Sequence, residues 1–210
     1  MTQRFMAPAD IEAKSFRILQ EKMGPFHGTE EELAIVTRVA HATADVDFGM
    51  SLYIHEGAIE SGLSALRSGA PVITDVEMVR AGIRKDGLES MGGRVLTFLN
   101  DPEVAEMARD TANATRSQMA MRKALPHMEG AIVAIGNAPT ALFEIIDRIK
   151  AKEASPALVI GMPIGFVGAA ESHQELIELD YPSITAPGPK GGSPVAAAIV
   201  NALIKLALRP

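Results

Sequence analysis

Five short, continuous apolar runs dominate the last two thirds of the chain: PVIT at 71–74, RVLTFL at 94–99, AIVAI at 131–135, ALVI at 157–160 and the weaker PSIT at 182–185. A strand with one wet face alternates apolar and polar residues, whereas a run that is apolar throughout has to be covered on both faces. Between and after the runs, helical segments are predicted at 76–82, 101–124, 139–151, 169–179 and 193–207. Strands joined through crossover helices pair in parallel, so the pattern predicts a three-layer α/β domain with a mostly parallel, five-stranded sheet.

The first third reads as helix instead. Pro8 opens a segment that runs to about Met23 and stops at Gly24-Pro25. Thr29, with Glu32 three residues on, forms a capping box for a second helix that turns Leu33, Val36, Val39 and Ala40 inward. A third helix is predicted from about Glu56 to Arg67, closed by Gly69. No repeat, low-complexity tract or long linker divides the chain, so residues 1–210 are read as one domain.

Composition narrows the partners. The net charge of −6 opposes a nucleic-acid surface, which needs cations for the phosphates, and 4% aromatic residues offer few stacking platforms. The absence of Cys removes disulfides, thiolate metal sites and a thiol nucleophile. The opening MTQRFMAPADIEAKSF carries no secretory apolar segment, and no stretch reaches the roughly 20 apolar residues of a membrane span. A cytoplasmic protein with a small-molecule ligand is expected.

Polar or Gly/Pro clusters follow four of the runs: Thr74-Asp75, Gly136-Asn137-Ala138-Pro139, Gly161-Met162-Pro163 and Pro187-Gly188. The carboxyl ends of parallel strands form a ligand crevice, and helix N-termini there attract anions. GPKGGSP at 188–194 fits best: Gly191 and Gly192 admit a ligand to the backbone, Lys190 adds a cation, and Ser193 caps the last helix. The bland alternative, a flexible turn with a cap, stands beside it at even odds.

Familiar motifs are missing. There is no GxxxxGK[ST], no GxGxxG at a first strand–helix turn, no HExxH and no GxSxG. Neither usual phosphate cradle is present, and no histidine pair suggests zinc. Of the five histidines, His41 stands out, because it ends the Val36/Val39/Ala40 stripe and precedes Thr43, Asp45 and Asp47. A histidine there can exchange protons near neutral pH, although position alone favours simple capping of a helix C-terminus. Arg116 offers a planar fork for a carboxylate, against the commoner solvated helix arginine. Ser15 within KSFRIL reads as a small packing residue, and MVRAGIRK at 78–85 as a solvated basic helix end.

Taken together, several segments resemble the precorrin-8X methylmutase family. They are EAKSFRILQ (12–20), VTRVAHATADVDF (36–48), VITDVEMVRAGI (72–83), TANATRSQMAM (111–121), VAIGNAPTALFEII (133–146), ALVIGMPIGFVGAAESHQEL (157–176) and GPKGGSPVAAAIVNAL (188–203). They occur in the family's order over almost the entire chain, and IGNAPTAL, IGFVGAAES and KGGS in succession are specific. The resemblance implies a flavodoxin-like fold, a homodimer, no cofactor and no metal. It implies an isomerase of cobalamin biosynthesis that moves a methyl group from carbon 11 to carbon 12 of precorrin-8X by a 1,5-sigmatropic shift, giving hydrogenobyrinate.

The family's essential histidine falls on His41, which the resemblance makes the general acid/base. It implies a substrate pocket lined by Ser15, Thr74, Asp75 and Arg116. Gly136, Asn137, Pro139 and Thr140 join them, as do Pro163, Gly165, Phe166 and Val167, and Lys190, Gly191, Gly192 and Ser193 complete the lining. Arg116, Lys190 and backbone N–H groups would pair with the macrocycle's carboxylates. Two departures stand out: His173 where many relatives are expected to carry Lys, and Pro189 where Arg is frequent. The VAHATADVDF segment leans towards the metal-free substrate of the aerobic branch. Product hand-over to the next pathway enzyme fits this reading. Rival readings are a corrinoid carrier, a flavodoxin-like cofactor module and a hydrolase using Ser15 or Ser193 with His41.

Overall fold

All five predicted runs become strands in the computed structural model, which describes residues 7–209. They are β2 (Val72–Thr74), β3 (Val95–Thr97), β4 (Ile132–Ile135), β5 (Leu158–Gly161) and β6 (Ser183–Thr185), all parallel to one another. The sheet has six strands rather than the expected five, in the order β1-β6-β5-β4-β2-β3. The addition, β1 (Tyr53–Ile54), pairs antiparallel with β6 through Tyr53↔Thr185 and Ile54↔Ile184. Two half-buried edge residues leave no apolar run to read, so the periodicity gave no sign of them.

Successive strand residues enter opposite cores, as a pleated sheet covered on both faces requires. Val72, Ile132, Ala134, Leu158 and Ile160 belong to one core. Ile73, Val133, Ile135 and Val159 belong to the other. The first core is shared with α4 (Ala58–Arg67), α5 (Glu77–Gly82), α6 (Lys85–Glu89) and α11 (Ser193–Ala207), the second with α7 (Pro102–Asp110), α8 (Arg116–Ala124), α9 (Pro139–Lys150) and α10 (Ala169–Glu178). α11 buries most of its length because α2 (Glu30–Thr43), α4 and α5 surround it.

The segment predicted as one helix over 101–124 is two. Asn113 takes a left-handed conformation at φ 59, which a helix cannot continue through, and Thr115 restarts the helix by accepting from the Gln118 N–H. Near the N-terminus, α1 (Pro8–Met23) ends as predicted, and Thr29 and Glu32 complete the capping box of α2. α3 (Val46–Met50), capped by Asp45, and α6 are too short to show a period in sequence.

Because β1 runs opposite to β6, its start lies beside Thr185 at the carboxyl edge of the parallel strands. The α2–α3 corner therefore faces the same edge as the loops after β2, β4, β5 and β6. α1 packs across this corner against α2 and α3. Among the described residues no helix is long and apolar enough to cross a membrane.

Candidate functional site

The reversal in strand order falls between β2 and β4. There Asp75, fully buried, turns its carboxylate into the β4–α9 loop and accepts the N–H groups of Gly136 (2.9 Å), Asn137 (2.8 Å) and Ala138 (3.0 Å). Burial pushes the Asp75 carboxyl above its usual range, and the three N–H groups offset that only in part. A cradle of successive N–H groups at this point of a parallel sheet would ordinarily suit a ligand anion. Here the chain's own carboxylate fills it. Thr74 is likewise buried, with its hydroxyl 2.5 Å from that of Thr97. In the protomer both side chains are therefore occupied inside and support the ledge, in contrast to the expectation that they line the pocket. Gly136 is required at that ledge, since a Cβ would stand 2.6 Å from Val79 and 2.8 Å from the Ser193 backbone.

The second feature is the corner of α1 and α2. Ser15 Oγ lies 2.9 Å from His41 Nδ1, the Phe16 ring sits 5.4 Å from the imidazole, and the Arg38 guanidinium lies over the Phe16 ring, 5.7 Å from its centroid. Ser15 is thus a partner for the histidine rather than packing. His41 stands in the last turn of α2, exposed, with Nδ1 engaged by Ser15 and no hydrogen-bond partner for Nε2 among the described residues. A groove of about 360 Å³ opens over it, lined by Ile11, Lys14, Ile18, Lys22, Ala44 and Val46 among others. Lys14 and Lys22, eight residues apart on one side of α1, were overlooked in sequence, where they look like ordinary solvated lysines; only the position of His41 makes them notable. A larger groove, about 820 Å³ between the start of α2 and α4, contains none of the predicted residues.

The third feature is the rim made by the loops after β5 and β6. Phe166 is 100% exposed, Val167 88% and Ile164 50%, so the 163–167 segment presents bare apolar surface. Gly165 N–H donates to Pro189 O (3.2 Å) and Gly192 N–H to Met162 O (2.7 Å), which joins this strap to the glycine loop. Gly191 is pressed so closely that a Cβ would lie 2.3 Å from Pro163 O. Lys190 reaches across to Asp45 at 2.6 Å and lies over the Phe48 ring, joining the rim to the His41 corner. This bond holds the Asp45 carboxyl below the usual carboxylate range. Ser193 is the first residue of α11 and makes no cap bond; the capping position belongs to Gly192, whose φ of 117 suits glycine alone.

At the far end of the edge, Arg116 is exposed and donates to Leu99 O at 2.9 Å. Its neighbour Thr115 lies 2.7 Å from Thr140 through their hydroxyls, beside the half-buried Pro139 and the exposed Asn137. β6 and β3 are four strand spacings apart, roughly 19 Å, so Lys190 and Arg116 bracket the edge without sharing a small pocket. The structure brings Ser15 to His41, Lys190 to Asp45, and the strap to the glycine loop. Among the described residues, the groove over His41 takes in Ser15 and none of the other predicted residues.

A family model described as precorrin-8X methylmutase matches residues 10–206. A cobalt-precorrin-8 methylmutase of Priestia megaterium is 48% identical over 200 residues, 95% of this chain and 88% of its own. A precorrin-8X methylmutase of Pseudomonas aeruginosa is 42% identical over 176 residues, 82% of each chain. The solved precorrin-8X methylmutase of Thermus thermophilus superposes with a TM-score of 0.87 at 39% identity, covering 95% of this chain and 96% of that one. With the match running from α1 to the last turn of α11, the chain belongs to the precorrin-8X methylmutase family.

Proposed function

We propose that this protein isomerises precorrin-8X to hydrogenobyrinate, moving a methyl group from carbon 11 to carbon 12 of the macrocycle, with His41 as general acid/base. The observation that carries the reading is the Ser15–His41 pair at 2.9 Å, set where a groove opens towards the carboxyl edge, in a chain of this family. The migration exchanges one carbon–carbon bond for another within one molecule and leaves the oxidation state unchanged. It therefore calls for no redox partner. Its barrier falls if a proton is lent to the ring system beside the migrating methyl and then returned. In the protonated imidazole, Nδ1–H donates to Ser15 Oγ and Nε2–H faces the substrate. Giving up the Nε2 proton leaves the neutral Nδ1–H tautomer, still held by Ser15 and ready to take the proton back.

The substrate is a large, flat ring with acidic side chains. Phe166, Val167 and Ile164 supply apolar surface for its plane, and Lys14, Lys22, Lys190 and Arg116 supply cations for its carboxylates. Local cations outweigh a net charge of −6 spread over the whole surface. A groove of about 360 Å³ is near the lower end of ligand sites, so a tetrapyrrole needs a further wall. A second copy of the chain resting on the exposed strap would provide one, in keeping with a homodimer. The five parallel strands follow the order second-first-third-fourth-fifth, which supports a flavodoxin-like arrangement in one domain. A cytoplasmic location and release of the product to a following enzyme suit this role.

Purified protein incubated with precorrin-8X tests the reading by visible spectroscopy and mass measurement. Growth of the hydrogenobyrinate spectrum at unchanged mass supports it. Since relatives are named for both forms of substrate, the assay is run with the cobalt-containing substrate as well. Binding without conversion of either would make the protein a carrier and end the catalytic reading.

A further inference from the structure

We propose that His173 is a positioning residue: it fixes the separation of the Phe166-bearing strap and the Lys190-bearing loop without touching the substrate. The inference rests on the isomerase reading for its consequence and on independent geometry for its cause. His173 lies in α10, the helix that leaves the strap, and is fully buried. Its Nδ1 is 2.7 Å from the carbonyl of Gly188, at the entrance to the glycine loop. The side chain is thus a strut from a helix seated on the sheet to the base of the opposite loop.

Three features argue against simple filling of space. Burial holds the imidazole below its usual pKa and so favours the neutral ring, which has a single N–H to donate. That N–H is used on Gly188, while Nε2 is buried on the side of the Pro163 carbonyl with no well-formed hydrogen bond among the described residues. An apolar side chain would avoid the orphaned nitrogen, so what the imidazole supplies is the bond to Gly188. The loops it joins are also held by Gly165 N–H to Pro189 O and Gly192 N–H to Met162 O, and they pack at Gly191 with no room for a side chain. Gly188 itself has φ 82, a turn whose carbonyl direction the histidine helps to hold. Metal binding does not account for the residue, since among the described residues no cluster of three metal-ligating side chains exists.

The test compares His173→Leu with His173→Asn. Asn carries an amide nitrogen on Cγ, where His carries Nδ1, and keeps the donor to Gly188; Leu keeps bulk and loses it. Without substrate, hydrogen exchange at the Gly165 and Gly192 amides is expected to accelerate about tenfold in His173→Leu and to stay near wild type in His173→Asn. In turnover, His173→Leu is expected to raise KM about tenfold with kcat within about twofold, the pattern of lost ground-state binding, and His173→Asn to restore KM. Unchanged exchange and KM in His173→Leu would overturn the proposal, as would a His173→Asn variant as impaired as His173→Leu. If His173→Leu does not fold, His173→Gln, whose amide sits one bond too far out, replaces it. A wild type that does not convert the substrate would defeat the isomerase reading alone, since the exchange measurement still decides whether the strut exists.

Discussion

The ledge at β2–β4 and the corner at α1–α2 are built in opposite ways. At the ledge, a buried carboxylate accepts three N–H groups that a ligand anion would otherwise take. At the corner, an exposed histidine holds one serine, two lysines stand over a groove, and the neighbouring strap shows Phe166 to solvent. Burying one such aromatic side chain contributes about 1.5–3 kcal/mol, a stabilisation that the strap forgoes in the protomer. The lesson is a division of labour. The part of the edge where a parallel sheet usually binds its ligand is filled by the chain's own carboxylate, and the proposed chemistry lies on the helices that flank it.

That division predicts which measurements respond to which change. His41→Ala should lower turnover about 10²–10⁴-fold while urea unfolding stays where it was, because the side chain is exposed. A matching loss of stability would place His41 in the scaffold and break the contrast. Asp75→Ala should act the other way and remove about 3 kcal/mol of stability by stranding three N–H donors, read as a lower urea midpoint. If its stability is unchanged, the ledge is not the rigid half. Ser15→Ala should reduce kcat up to about tenfold, the worth of one orienting hydrogen bond, with folding intact; wild-type kcat would mean that His41 needs no orientation.

The smallest effect concerns pH. Burial depresses the folded-state pKa of His173 below 6.5, so at acidic pH the unfolded chain binds a proton that the folded chain resists. Its contribution is fully present above pH 6.5 and is lost as pH falls below that value through the depressed pKa. His173→Asn should flatten the acid side of the stability profile; an unchanged profile would assign the acid sensitivity elsewhere.

Much of the framework was legible in the sequence. Continuous apolar runs gave five strands, Pro8 with Gly24 and the Thr29/Glu32 box gave two helices, and the family motifs supply the proposal for His41. Pairings between distant residues were not legible. Ser15 meets His41 across 26 positions and Lys190 meets Asp45 across 145, and no local pattern encodes either. The family resemblance, together with a position just after a strand, points Asp75 at a ligand. Its inward turn is set by the N–H groups 61–63 residues later. The break at Asn113 was missed because TANAT is compatible with helix when the tertiary context is ignored.

The two-residue strand β1 has a consequence for assembly. Lying antiparallel on β6, it caps an edge that would otherwise offer a parallel strand's unpaired amides, and it is too short to template another strand itself. Continuous sheet across two molecules is thereby discouraged on that flank. On that flank any companion copy would have to recognise the protein by side-chain relief, not by extending the sheet.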